Sequence, residues 1–148
     1  MKKILGVIII FIVFITGVEG SDYQEVILEI TNRSRIENGM KPLKINKTLN
    51  EIAIVKAEDM AKEGVLSHNS ERYGMTFNLI KKEGIRYNAA AENIARGHDT
   101  PEFVAQRWLE SKGHRENILN SNFDETGIGL AQDKKGKKYW VQLFIKKK

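Results

Sequence analysis

Chemistry in this chain has to come from imidazoles and carboxylates, because its 148 residues include three histidines and no cysteine. Without a thiol there is no disulfide framework, no thiolate zinc cluster, no cysteine nucleophile and no lipid-modified cysteine. The histidines are His68, His98 and His114, and none belongs to a local metal motif such as His-Glu-x-x-His. A Gly-x-Ser-x-Gly turn and a phosphate-cradling glycine loop are also absent. Gly127-Ile128-Gly129 lacks a third glycine and reads as strand. Any site must therefore be assembled from segments distant in sequence.

His68 sits in Ser67-His68-Asn69-Ser70, just past a glycine that should stop a helix. His114 sits in Ser111-Lys112-Gly113-His114-Arg115, just past the expected end of another. Both read as helix-end loop positions where an imidazole can be aimed, although each alone also describes an ordinary surface histidine. Glu92 is stranger: it is a lone charge in Ala89-Ala90-Ala91-Glu92-Asn93-Ile94-Ala95, a stretch that should be buried. An unpaired buried carboxylate is costly, so a partner is expected. Backbone N–H groups or an arginine would make its role structural; an imidazole, or water activated by a metal, would make it functional. Ser67, Ser70 and Ser111 qualify as nucleophiles only by lying near a histidine, and turns or caps account for them equally well. His98, beside Asp99-Thr100, reads as a surface loop residue.

The elements that must position these groups follow from periodicity and capping. Ser21-Asp22 can cap a helix with Tyr23, Val26, Ile27 and Ile30 on one face and Gly39 as its stop. Asn46 or Thr48 can cap a second, whose stripe of Leu49, Ile52, Ala53, Lys56, Ala57, Met60 and Ala61 ends at Gly64. The alanines on it would let another element approach closely. A short helix is expected around Met75 to Glu83, and Asp99-Thr100-Pro101 starts another that buries Phe103, Val104 and Trp108 and runs to about Ser111. A helical turn at Arg115 to Leu119 follows, with Asn117 helping to fix it. Strands are expected at Glu92 to Ala95, Gly127 to Ala131 and Tyr139 to Ile145, the last two joined by a turn at Asp133 to Lys137. Helices first and an antiparallel sheet later indicate an α+β or layered α-β-α domain.

The N-terminus reads as an export signal. Lys2-Lys3 precedes an apolar run from Ile4 to Val18, and Val18-Glu19-Gly20 offers a cleavage site, so residues 1–20 are assigned to a signal peptide and 21–148 to one domain. Retention of the run as an anchor is the alternative. Lys134, Lys135, Lys137, Lys138, Lys146, Lys147 and Lys148 crowd the C-terminus without an acid among them. Such a cluster suits an anionic envelope polymer, and export argues against nucleic acid. A solvated hairpin with a frayed tail is the simpler reading.

Taken together, the motifs resemble the CAP superfamily of cysteine-rich secretory, antigen 5 and pathogenesis-related-1 domains, in its cysteine-free bacterial branch. In the family's order come Asn32-Arg33-Ser34-Arg35 with Pro42-Leu43, Leu49 to Met60, Ser67-His68, Ala91-Glu92-Asn93-Ile94-Ala95, Trp108 to Leu119, and Gly127-Ile128-Gly129. The resemblance implies a three-layer α-β-α sandwich with a central antiparallel sheet and an open cleft. In that cleft two histidines and two glutamates meet, and the histidine pair can hold a divalent metal such as Zn2+. The metal ligands carry over to His68 and His114, and the first glutamate to Glu92, as general base in any hydrolysis. The second glutamate does not carry over cleanly. Its position, three residues after Trp108, is Ser111; Glu110 is one residue early and points about 100° away around the helix, and Glu116 lies in the following turn.

Glu92 and Glu110 therefore stand as the candidate catalytic carboxylates. A two-histidine shell is sparse, so the metal site should be open and weak, unlike structural zinc sites closed by protein ligands all round. An exported, monomeric binding or interaction module is the expected function, its cleft taking a peptide, a cell-wall component or a lipid. A metal-assisted, peptidase-like hydrolase is the alternative. Lipid or sterol binding would need Phe103, Trp108, Phe123 and Trp140, for which core packing is the better account.

Overall fold

A computed structural model describes residues 22–148, so the expected signal segment 1–20 lies outside the described residues. Helix α1 (Tyr23–Glu37) starts where Asp22 accepts a hydrogen bond from the Gln24 N–H at 3.1 Å. Strand β1 (Lys44–Ile45) leads into α2 (Lys47–Glu63), capped by Asn46 through the Leu49 N–H and stopped by Gly64 at φ +66°. A small hairpin, β2 (Asn69–Ser70) and β3 (Gly74–Met75), then precedes α3 (Thr76–Lys82). After β4 (Tyr87–Arg96) come α4 (Pro101–Glu110), capped by Thr100, and α5 (Lys112–Ile118). Strands β5 (Glu125–Gln132) and β6 (Lys138–Lys147) close the chain.

The main sheet has the order β1-β5-β6-β4, antiparallel except for β1, which pairs parallel to β5 over two residues. That short edge is a departure from a purely antiparallel sheet. The α-β-α sandwich is as expected, with a core on each face. One holds Leu49, Ala53, Ala57 and Met60 of α2 against Val141, Leu143 and Ile145 of β6. The other holds Ile27 of α1 and Val104 and Trp108 of α4 against Trp140 and Phe144. Close packing of α2 on β5 depends on glycine in the strand as well as alanine in the helix. A Cβ on Gly127 would lie 2.3 Å from the Leu49 backbone, and one on Gly129 would lie 2.2 Å from the Ala53 backbone.

Several local expectations are corrected. Strand β4 extends well beyond Glu92–Ala95, because β6 offers it a partner along its length. Helix α5 begins at Lys112, so His114 is helical and not in a loop. Phe103 is 53 % exposed, its ring edge-on to His98 at 5.2 Å, because Val104, Ala105 and Trp108 set a buried face that leaves it one position outside. Trp108, Phe123 and Trp140 are core residues, as expected. The lysine cluster divides: Lys134, Lys135 and Lys137 sit at the β5–β6 turn, whereas Lys146 to Lys148 lie at the other end of β6, about 30 Å away at ~3.3 Å per residue.

Candidate functional site

Strand β4 occupies one edge of the sheet, and successive residues on it face opposite layers. Glu92 faces the α2–α3 layer and Asn93 the α4–α5 layer, so groups from both layers can meet around this edge. Glu92 is 3 % exposed at its side chain, and both its carboxylate oxygens are taken. Oε1 lies 2.8 Å from His68 Nδ1, and Oε2 accepts a short bond from the Thr76 hydroxyl. The partner demanded by a buried charge is thus an imidazole plus a hydroxyl. Because a carboxylate can only accept, His68 Nδ1 carries a proton and donates it, which leaves Nε2 without a protein partner among the described residues, on a ring that is about half exposed, at 51 %.

His114 is held from the other layer. Its carbonyl accepts from Asn93 Nδ2 at 3.1 Å, and Asn93 Oδ1 accepts in turn from Asn117 Nδ2 at 2.9 Å. Asn117 thus ties α5 to β4, which is more than a turn-fixing role. The Trp108 ring lies 6.5 Å away at a tilt of 57°. Burial pushes the His114 imidazole below its usual range, and His68, when it is protonated, pushes it further. His114 thus favours its neutral form.

Lys56 underlies the site. It is fully buried on α2, and its ammonium donates to the His68 carbonyl at 3.0 Å. Burial lowers its affinity for a proton, and the charges of Glu92 and Asp59 oppose that effect. Asp59 is buried too, with Arg72 Nη1 3.6 Å from its Oδ1. A lysine inside an apolar stripe is the visible signal for this position. Nothing in the sequence marks Thr76, whose hydroxyl matters only once α3 docks beside β4.

The second carboxylate is not found at the site. Glu110 lies on the exposed side of α4, bound by Arg107 Nη1 at 2.9 Å, with Gln106 3.3 Å away, and hydrogen-bonds to neither histidine. Glu116 lies 3.9 Å from Lys112, and Ser111 forms the junction of α4 and α5. Ser67 and Ser70 close local turns, the first through the Asn69 backbone and the second through the Arg72 N–H. Among the described residues, no three histidine, aspartate or glutamate side chains converge to hold one ion. The His98 ring lies edge-on to Phe103, and its carbonyl accepts from Trp140 Nε1 at 2.8 Å.

Comparison with known proteins agrees with this fold. The chain is 42 % identical over 127 residues to the uncharacterised protein YkwD of Bacillus subtilis, covering 86 % of this chain and 48 % of that one. It is 32 % identical to the membrane protein YlbC of the same organism, covering 84 % and 34 %. The chain thus spans half or less of the curated relatives it matches. An extracellular SCP-domain protein of Bacillus anthracis superposes with a TM-score of 0.75 at 30 % identity, over 84 % of this chain and 40 % of that one. An outer surface protein of Borrelia burgdorferi shares the fold at a TM-score of 0.77 and 22 % identity, over 84 % and 92 %. A sequence model of the cysteine-rich secretory protein family matches residues 28–144, from the second turn of α1 to near the end of β6; the chain belongs to this family.

Proposed function

We propose that the protein is a binding module of the bacterial cell exterior or envelope, in which His68 and His114 present a weak, open divalent-metal site of the zinc type to a cleft ligand. The double engagement of Glu92 carries this reading. A carboxylate that fixes the Nδ1 proton of an imidazole, and so frees Nε2, is the usual support for a metal-ligating histidine. His114, which favours its neutral form, is ready to coordinate without losing a proton. The donor set fits an ion held by two imidazoles, with its remaining positions left to solvent or ligand. When bound, such an ion supplies a Lewis acid for an anionic or carbonyl group of the ligand. The placement outside the cell rests on the descriptions of the similar proteins as extracellular or outer-surface.

Glu92 serves here as the orienting group for His68. A general base needs a lone pair within reach of its substrate, and the Glu92 carboxylate, 3 % exposed and turned to His68 and Thr76, is sheltered from the cleft solvent. Zinc titration by calorimetry tests the reading: His114→Ala should abolish the binding isotherm while the circular dichroism spectrum stays unchanged. Zinc-dependent peptide hydrolysis, lost on chelation and on Glu92→Ala, would overturn it in favour of a hydrolase.

A further inference from the structure

At the far end of the sheet, α2 and the β5–β6 turn enclose an open groove of about 810 Å³. Its walls carry Lys62 at the end of α2, Arg96 at the end of β4, and Lys134, Lys135 and Lys137 of the turn. All five are exposed, and among the described residues none forms an ion pair with an acid. Two acids, Glu58 and Asp133, share the lining. Asp133 Oδ1 is used within the turn, accepting from the N–H groups of Lys135 and Lys137 at 2.9 Å each. Arg96 gives one N–H to the Gly64 carbonyl at 3.3 Å and keeps its other donors. The opposite end of β6 differs. There Lys146 pairs with Asp124 at 3.0 Å and Lys147 lies 3.6 Å from Glu125.

Concave, unpaired positive charge of this kind attracts a polyanion. Lysine ammoniums on flexible stems suit single charges repeated along a chain more than the planar fork of one carboxylate. The groove also lacks a stacking platform. Its aromatic residue, Tyr139, is 2 % exposed, so nucleobases would find no ring face on which to stack. We infer that this groove binds a non-aromatic phosphodiester polymer, with Lys62, Arg96, Lys134, Lys135 and Lys137 contacting successive phosphates. The inference is independent of the metal site, which lies around the middle of β4.

The experiment compares two variants that each remove three charges: Lys134→Gln/Lys135→Gln/Lys137→Gln at the groove, and Lys146→Gln/Lys147→Gln/Lys148→Gln at the opposite end. Binding of the protein to synthetic poly(glycerol phosphate) is measured by calorimetry across a salt series, with circular dichroism confirming the fold. The groove variant should lose at least about tenfold in affinity and show a shallower salt dependence, as expected when phosphate contacts are removed. The other variant should stay within about twofold of the parent. Equal losses in both variants would reduce the effect to net charge and overturn the proposal, as would no binding by the parent. Tighter binding of a single-stranded DNA of matched charge would overturn the polymer class.

Discussion

Replacing Glu92 by glutamine tests how the site is held, because the change keeps shape and removes only the charge and one acceptor. In the native arrangement the carboxylate accepts from His68 Nδ1 at 2.8 Å and from the Thr76 hydroxyl, at a side chain 3 % exposed. An amide has one acceptor oxygen, so one partner must face the NH2 group. If that partner is His68, the ring must switch tautomer, placing its proton on Nε2 and removing the free nitrogen. Hydrogen bonds to charged groups contribute about 1.5–3 kcal/mol and neutral ones about 1 kcal/mol, so exchanging the pair costs about 1–3 kcal/mol. Lys56, fully buried, also loses one of two compensating charges and keeps Asp59. A buried charge left wholly unpaired costs about 3–5 kcal/mol; with Asp59 retained as a partner only a fraction of that, about 1 kcal/mol, is added. The expected total is about 2–4 kcal/mol, read as a lower urea midpoint at unchanged slope. Zinc affinity should fall by about 10–100-fold, the usual effect of losing a carboxylate that supports a ligand. Nitrogen chemical shifts of His68 should report the tautomer change directly. Parent-like stability and zinc affinity with the Nδ1 proton retained would refute the claim that Glu92 orients the ring.

Other outcomes follow from the same geometry. His114 should titrate below pH 6.5 by proton NMR, and His68→Ala should raise its midpoint without returning it to the ordinary value, because burial is the larger cause and remains. A midpoint unmoved by that substitution would separate the two rings. Since the folded state disfavours protonated His114, its contribution to stability is present above pH 6.5 and declines as pH falls through the depressed value; His114→Gln should flatten the unfolding free energy across that acid window. Gly129→Ala places a Cβ 2.2 Å from the Ala53 backbone, which cannot rotate away, so a loss of at least about 1–3 kcal/mol is expected by chemical denaturation. Arg35 is buried and donates to the carbonyls of Lys41, Ile118, Asn120 and Phe123, at 2.8 to 3.1 Å, stapling the segments around α5. A lysine ammonium at that position cannot span the same fork, so Arg35→Lys should cost about 3 kcal/mol and weaken zinc binding through His114, both measurable on the same purified protein.

Local interactions make much of this molecule legible before folding is considered. The Asp22, Asn46 and Thr100 caps, the Gly64 stop, the Pro101 helix start and the β5–β6 turn all depend on backbone groups a few residues apart, and all lie where side-chain chemistry and periodicity put them. The family is legible as well, since its motifs recur in order along the chain. Other features require the docked layers. Glu92 reads as an odd buried charge, yet its partners lie 24 and 16 residues away on separate elements, and only the packing of α3 and the His68 loop beside β4 brings them together. His114 reads as a loop residue because Gly113 suppresses the helical signal, and tertiary support from Asn93 and Asn117 overrides that weak propensity. Glu110 is near enough along the chain, but position around a helix, not distance in sequence, decides which way a carboxylate faces. The C-terminal lysines, close together on paper, are drawn to opposite ends of an extended strand. Capping and periodicity act within a turn or two of backbone and so are written in the sequence; the pairing of buried polar groups depends on which surfaces exclude water together, and only the assembled layers determine that.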